Sequence, residues 1–202
     1  DTSNISTWQV ADVHNGQGNS EPGKYMSILI EDTIYFDAND GNSGVELWAH
    51  NISNTTTWQT MDIYAGGANS YSGEYMSLLV GDTLYFSAGN GSTGQELWAH
   101  DASNDSTWLV ADIHSNGDSD PGQFMAHVVG DTLYFSANDG DIGEELWAHD
   151  TSNQSTWVVE DGSSGYSPYW PGVGQSFFVN GTLYTHISTC SQNCNGLGGY
   201  NL

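Results

Sequence analysis

Carboxylates, histidines and asparagines recur at fixed spacing along this sequence, and each set could support a different chemistry. The segment Glu-Leu-Trp-Ala-His occurs at 46–50, 96–100 and 145–149, which puts a glutamate, a tryptophan and a histidine on one strand face three times over. A ring of His50, His100 and His149 around an axis could hold a metal, yet histidines spaced this way on an apolar strand read first as packed and hydrogen-bonded. Oxygen ligands crowd a second place: Asp37, Asn39, Asp40 and Glu46 in one copy, and Asn138, Asp139, Asp141, Glu144 and Glu145 in another. Calcium takes about six to eight oxygens. Asp37, Asp40, Asp139 and Asp141 are therefore the metal candidates, and calcium is the one cofactor the sequence suggests. The glycine and closing glutamate are misplaced for an EF-hand, and the intervening copy offers only Asn90 and Glu96, so a hydrogen-bonded turn competes for the same side chains.

A third series, Asp12, Asp62, Asp112 and Asp161, follows a tryptophan by four residues in every copy. Paired catalytic carboxylates stand roughly 5 to 10 Å apart across a substrate, whereas acids repeated by symmetry more often bond loop amides. No Gly-x-Ser-x-Gly elbow occurs and neither cysteine sits in a triad context, so a non-enzymatic protein is expected. Asn-x-Ser/Thr acceptors fall at Asn4, Asn51, Asn54, Asn90, Asn104, Asn153 and Asn180. Asn4, Asn54, Asn104 and Asn153 share one place, the turn before the tryptophan segment, where glycans would coat one rim. Cys190 and Cys194 lack further zinc ligands and suggest a small disulfide loop, hence a secreted, extracellular protein.

Positioning these residues falls to a repeat. Trp8, Trp58, Trp108 and Trp157, like Tyr35, Tyr85, Tyr134 and Tyr184, recur every 49 or 50 residues. Each unit contains four short runs of strand composition and no sustained helical period, as at 75–80, 83–88, 96–100 and 107–113. Gly81-Asp82 predicts a two-residue hairpin turn. Leu84, Phe86 and Ala88 then fall on one face and Thr83, Tyr85 and Ser87 on the other, so both faces can pack. The fold expected is all-β, a β-propeller-like array of about four four-stranded repeats. It reads as one domain over 1–202: an N-terminal strand at 5–13, repeats at about 25–63, 75–113 and 124–161, a partial repeat at 174–188 and a disulfide tail at 189–202. No fourth Glu-Leu-Trp-Ala-His follows, so the last unit lacks its final strand, and its third as well unless the tail from Ser188 to Leu202 supplies one. The segment carrying Thr7, Trp8, Val10 and Asp12 is of the missing kind, and is expected to complete the last blade in cis or in trans.

The segments Val129-Gly130-Asp131-Thr132-Leu133-Tyr134-Phe135, Asn138-Asp139-Gly140, Glu145-Leu146-Trp147 and Ser155-Thr156-Trp157 resemble the secreted repeats known by the pattern ELWxxDGT, and more loosely kelch blades. Where kelch blades carry paired glycines this chain has Ala38-Asn39, Ala88-Gly89 and Ala137-Asn138. The resemblance implies a propeller and secretion rather than an activity.

Charge narrows the partners. The acids number 25 against the single cation Lys24, with no arginine, for a formal charge of −24. Phosphate contacts need Lys or Arg, which argues against nucleic acid and anionic membrane surfaces. No run approaches the roughly 20 apolar residues of a membrane helix. The first functional expectation is a secreted, glycosylated structural subunit that joins copies of itself head-to-tail into an extracellular fibre or surface layer. The alternative is a closed, monomeric propeller that binds carbohydrate or calcium through loops 14–23, 64–73 and 114–122, with Tyr25, Tyr71 and Trp170 to stack sugars.

Overall fold

The computed structural model describes residues 6–141, 143–160, 176–188 and 195–201. Their regular elements are all strands, arranged as four antiparallel meanders. The first sheet is β1 (Ser27–Ile30), β2 (Thr33–Asn39), β3 (Val45–Asn51) and β4 (Thr57–Met61). The second is β5 (Ser77–Val80), β6 (Thr83–Gly89), β7 (Gln95–Asp101) and β8 (Ser106–Ala111). The third is β9 (Ala126–Val129), β10 (Thr132–Asn138), β11 (Glu144–Asp150) and β12 (Ser155–Glu160). The fourth has three strands, β13 (Phe177–Val179), β14 (Thr182–Ser188) and β15 (Asn195–Asn201). This is the all-β, propeller-like architecture that the repeat calls for, and its sheets do not close into a ring.

Turn chemistry fixes the register. Val80 pairs with Thr83 across Gly81-Asp82, and Gly81 takes φ +58°, the left-handed conformation a two-residue hairpin needs. Between the second and third strands of a sheet the turn is held by a side-chain carbonyl or carboxylate. Asn90 Oδ1 accepts from the amides of Ser92 and Thr93, and Asp40 Oδ1 from those of Asn42 and Ser43. Between the third and fourth strands Asn54, Asn104 and Asn153 accept from the amides of Thr56, Ser106 and Ser155. The residue after each, Thr55, Asp105 or Gln154, has positive φ, so it is this neighbour and not the asparagine that bends left-handed.

Both faces of an inner sheet are buried because one sheet stacks on the next. Tyr35, Leu47 and Ala49 of the first sheet pack against Leu84, Phe86, Ala88 and Trp98 of the second. Tyr85, Leu97 and Ala99 of the second meet Leu133, Phe135 and Ala137 of the third in the same way. Met125 and Leu146 of the third meet Leu183 of the fourth. Each sheet thus has a leading face, toward the preceding unit, and a trailing face, toward the following one. Burying each large side chain in these seams contributes about 1.5 to 3 kcal/mol.

The two ends of the array behave differently. Residues 6–12 form no strand, although their sequence matches β4, β8 and β12. A strand needs a neighbouring edge for its amides and carbonyls, and among the described residues none pairs with them. In contrast, 195–201, in the tail expected to hold a disulfide loop or to supply the last unit's third strand, is that third strand. It pairs with β14 from Ser188↔Asn195 to Thr182↔Asn201, in the place that Glu-Leu-Trp-Ala-His takes elsewhere.

Candidate functional site

The segments that carry the chain from one sheet to the next repeat in detail. Gly73 donates its amide to Ser87 O and Gly122 donates to Ser136 O, at 2.8 and 2.7 Å. Gly89 N bonds Ser70 O and Asn138 N bonds Ser119 O. The Tyr64 ring lies against Gly91, and the His114 ring against Gly140, so closely that a Cβ at either glycine would collide with it. Tyr71 and Asp120 both hold positive φ, at +52° and +47°.

Glutamates of the third strands fasten these segments from below. Glu46 accepts from the amides of Ile63, Tyr64 and Ser70, and Glu96 from those of Ile113 and Ser119 and from the Ser119 hydroxyl. Burial pushes both carboxyls up to about 7. Glu144, buried near Asp120 and Glu145, is pushed up to about 8. Sequence reasoning placed Glu46 among loop oxygen ligands and missed this clamp. The available signal was a glutamate retained in all three copies beside a leucine on a buried strand.

The N-terminal connector is built to the same plan although no complete sheet precedes it. Gly23 N bonds Asp37 O at 2.8 Å, and Asn39 N bonds Ser20 O at 2.9 Å. The His14 ring lies against Gly41, and Glu21 holds φ +43°. Upstream, Val10, Ala11 and Val13 face Ile34, Phe36 and His50 across a cavity of about 240 Å³. Val110 and Ile113, their repeat equivalents, pack in the seam with Leu133 and Phe135. Trp8 and Val10 are 72% and 61% exposed.

At the other end the trailing face of the fourth sheet is open. Leu197 is 72% exposed, whereas Leu47, Leu97 and Leu146 are 0% exposed. Tyr184 is 39% exposed, against 3% for Tyr35 and 2% for Tyr85. Phe177 and Val179 lie exposed on the same face, since Phe177 pairs with Tyr184 and Val179 with Thr182. Leu197 joins them through its pairing with His186.

The other expected sites resolve differently. Asp37 is buried and accepts from the amides of Tyr25 and Met26, a task that Ser87 and Ser136 perform in the next copies. Asp40 and Asp139 each close a turn, Asp139 by accepting from the Asp141 amide, and Asp141 is exposed. Among the described residues no three His, Cys, Asp or Glu side chains converge as metal ligands; Asp37, Asp40 and Asp139 each accept from nearby backbone amides through one carboxylate oxygen, and Asp37 Oδ2 is buried without a hydrogen bond. His50, His100 and His149 bond Thr57, Thr107 and Thr156 through Nδ1 at 2.7 to 2.9 Å. The rings of His100 and His149 meet Tyr35 and Tyr85 of the preceding sheets at centroid distances of 4.9 and 5.4 Å. Asn54, Asn104 and Asn153 sit on exposed turns; Asn51 and Asn90 are half-buried, and Asn180 turns between β13 and β14 with φ +50°. Asn4, Cys190, Cys194, Asp161 and Trp170 lie outside the described residues.

One open groove of about 450 Å³ runs along the loops, lined by Tyr64, Tyr71, Tyr75, Glu74, Asp118 and Asp120 among others. Tyr71 meets Tyr25 edge-on at 6.0 Å.

Fold and site together define a propeller-type repeat protein with two unlike ends. No protein-family model matches the chain, and no curated protein matches it. Among solved structures it is similar to puromycin hydrolase, at TM-score 0.52 and 9% identity over 87% of this chain and 26% of that one. A puromycin hydrolase mutant complexed with PGG gives TM-score 0.54 and 8% identity over 84% of this chain and 25% of that one. The GH74 xyloglucanase from Xanthomonas campestris gives 0.52 and 12% over 84% and 27%. At such identities the likeness is one of fold, and the chain spans about a quarter of the length of each.

Proposed function

We propose that this protein is a secreted structural subunit that joins head-to-tail into an extracellular fibre or surface layer by donating residues 6–13 as the fourth strand of a neighbour's last sheet. The observation that carries this reading is the pairing deficit at its two ends. Among the described residues the fourth sheet has three strands, and 6–12, whose sequence is that of the fourth strand elsewhere, pairs with none. Transferred from the β7–β8 ladder, the donated register sets Tyr200 opposite Thr7, Gly199 opposite Trp8 and Leu197 opposite Ala11. A donated strand supplies main-chain hydrogen bonds for affinity and alternate side chains for specificity. A head-to-tail contact that does not close generates a filament.

The exposed turns of Asn54, Asn104 and Asn153 suit them as glycan acceptors, which accords with the secretion implied by the ELWxxDGT resemblance. No catalytic role is proposed. Electron microscopy of the untreated protein beside a variant lacking residues 1–13 tests the reading. Filaments that vanish on truncation are expected; discrete particles from the intact chain would overturn it.

The groove beside Tyr71 favours a second reading, a carbohydrate-binding module, because tyrosines stack on pyranose faces while acids and amides take up hydroxyls. On that reading Tyr71→Ala abolishes retention on a glycan matrix and leaves particle size unchanged. Equal retention of both proteins would remove it.

A further inference from the structure

We propose that the trailing face of the fourth sheet docks on the leading face of the first sheet of a second copy, reproducing the internal seam between sheets. This rests on the head-to-tail reading and adds to it a second surface, made by side chains rather than by strand edges.

Repeat equivalence carries the argument. Every internal seam sets a tyrosine and a leucine of one sheet against the leading face of the next. Tyr35 and Leu47 do so for the first, and Tyr85 and Leu97 for the second. In the fourth sheet Tyr184 and Leu197 stand at the same positions, exposed together with Phe177 and Val179. A contiguous apolar patch of this kind marks an interaction site.

The complementary half exists at the other end of the same chain. Ile34, Phe36 and His50 of the first sheet are the equivalents of Leu84, Phe86 and His100, which receive Tyr35 and Leu47 in the first internal seam. They lie under Val10, Ala11 and Val13, which are held where Val110 and Ile113 lie in the seam with the third sheet; Phe36 and His50 are already 9% and 7% exposed, so docking closes the cavity that remains there. The connector of 14–24 already carries the hydrogen bonds of an internal connector, so little ordering cost remains at docking. The series joins Tyr35 to His100 and Tyr85 to His149, has Tyr200 in place of the histidine at the third seam beside Tyr134, and at its next step sets Tyr184 on His50 of the second copy.

Tyr184 separates this surface from strand donation. It lies in β14, whereas a donated strand pairs only with β15, so strand donation alone is indifferent to it. The test is sedimentation, at about 0.15 M salt to screen the like charges of the subunits, of the intact chain, Tyr184→Asp, Val10→Asp and an equimolar mixture of the two variants. Both substituted positions are solvent-facing, Tyr184 at 39% and Val10 at 61% exposed, and circular dichroism confirms that each variant is folded. Polymers are expected from the intact chain and monomers from each variant alone. The mixture should give one-to-one dimers, because each variant retains one working end. Loss of a central aromatic anchor weakens such a joint by about 30-fold or more. Polymers from Tyr184→Asp as long as those of the intact chain would overturn the stacked face and leave strand donation standing. An intact chain that stays monomeric, closing its own ends on each other or leaving them apart, would overturn both.

Discussion

The second and fourth sheets share Thr-Leu-Tyr in their second strands and a leucine at the same place in their third, and differ in what lies beside them. The second is enclosed by a sheet on each side, and Leu84, Tyr85, Phe86 and Leu97 are 0%, 2%, 0% and 0% exposed. The fourth is enclosed on one side, where Leu183 is 0% exposed, while Tyr184, its neighbour in sequence, is 39% exposed. The apolar content of a strand therefore does not decide its burial here. What decides it is whether another sheet lies against that face.

That contrast can be broken most sharply at its leucines. Leu97→Ala should destabilise the isolated chain by about 2 to 5 kcal/mol, the cost of an interior cavity. Leu197→Ala should stay within about 0.5 kcal/mol, as exposed substitutions do. Urea denaturation of the two variants at low protein concentration measures the difference, and equal losses would mean that the fourth sheet is covered in solution.

A smaller effect sharpens the comparison through pH. Glu96 is clamped and buried, whereas its position in the fourth sheet is held by Gly196. Burial raises the Glu96 carboxyl from 4.5 to about 7, so between those values the folded chain holds a proton that the unfolded chain has released. Stability from this group is full below 4.5, falls across that window as pH rises, and is lost above about 7. The buried histidines oppose it: burial lowers His100 and His149, so their contribution is lost as pH falls below their unfolded value. Melting temperature followed from about pH 5 to about pH 8 should fall less steeply in Glu96→Gln than in the intact chain. An unchanged slope would show that the clamp titrates in the ordinary carboxylate range.

The repeat made most of this legible. Spacing of tryptophans and tyrosines located the sheets, Gly81-Asp82 gave the hairpin, and the alternation of Leu84, Phe86 and Ala88 with Tyr85 and Ser87 announced two packed faces. Two strands resisted. Gly196-Leu197-Gly198-Gly199-Tyr200 has poor strand composition and becomes β15 because the edge of β14 recruits it. Ser6 to Asp12 has good strand composition and stays unpaired, since pairing belongs to two segments and composition to one. In the oxygen-rich loops Asp40 and Asp139 each accept from the amide two residues downstream, a local bond that a list of side chains does not show. Glu46 looked like one more ligand because its true partners stand 17 to 24 residues away, beyond the reach of local reading.

Lys24 is the chain's single cation, exposed, and bound to Glu21 at 2.9 Å in the connector between residues 6–13 and the first sheet. In a fibre joined as proposed, tension entering a subunit at the donated strand would reach its sheets along that connector. Trypsin, which cuts after lysine and arginine, finds its one substrate bond in the same place. A filament of this protein would therefore be tough along every sheet and severable, once per subunit, at its mechanical coupling.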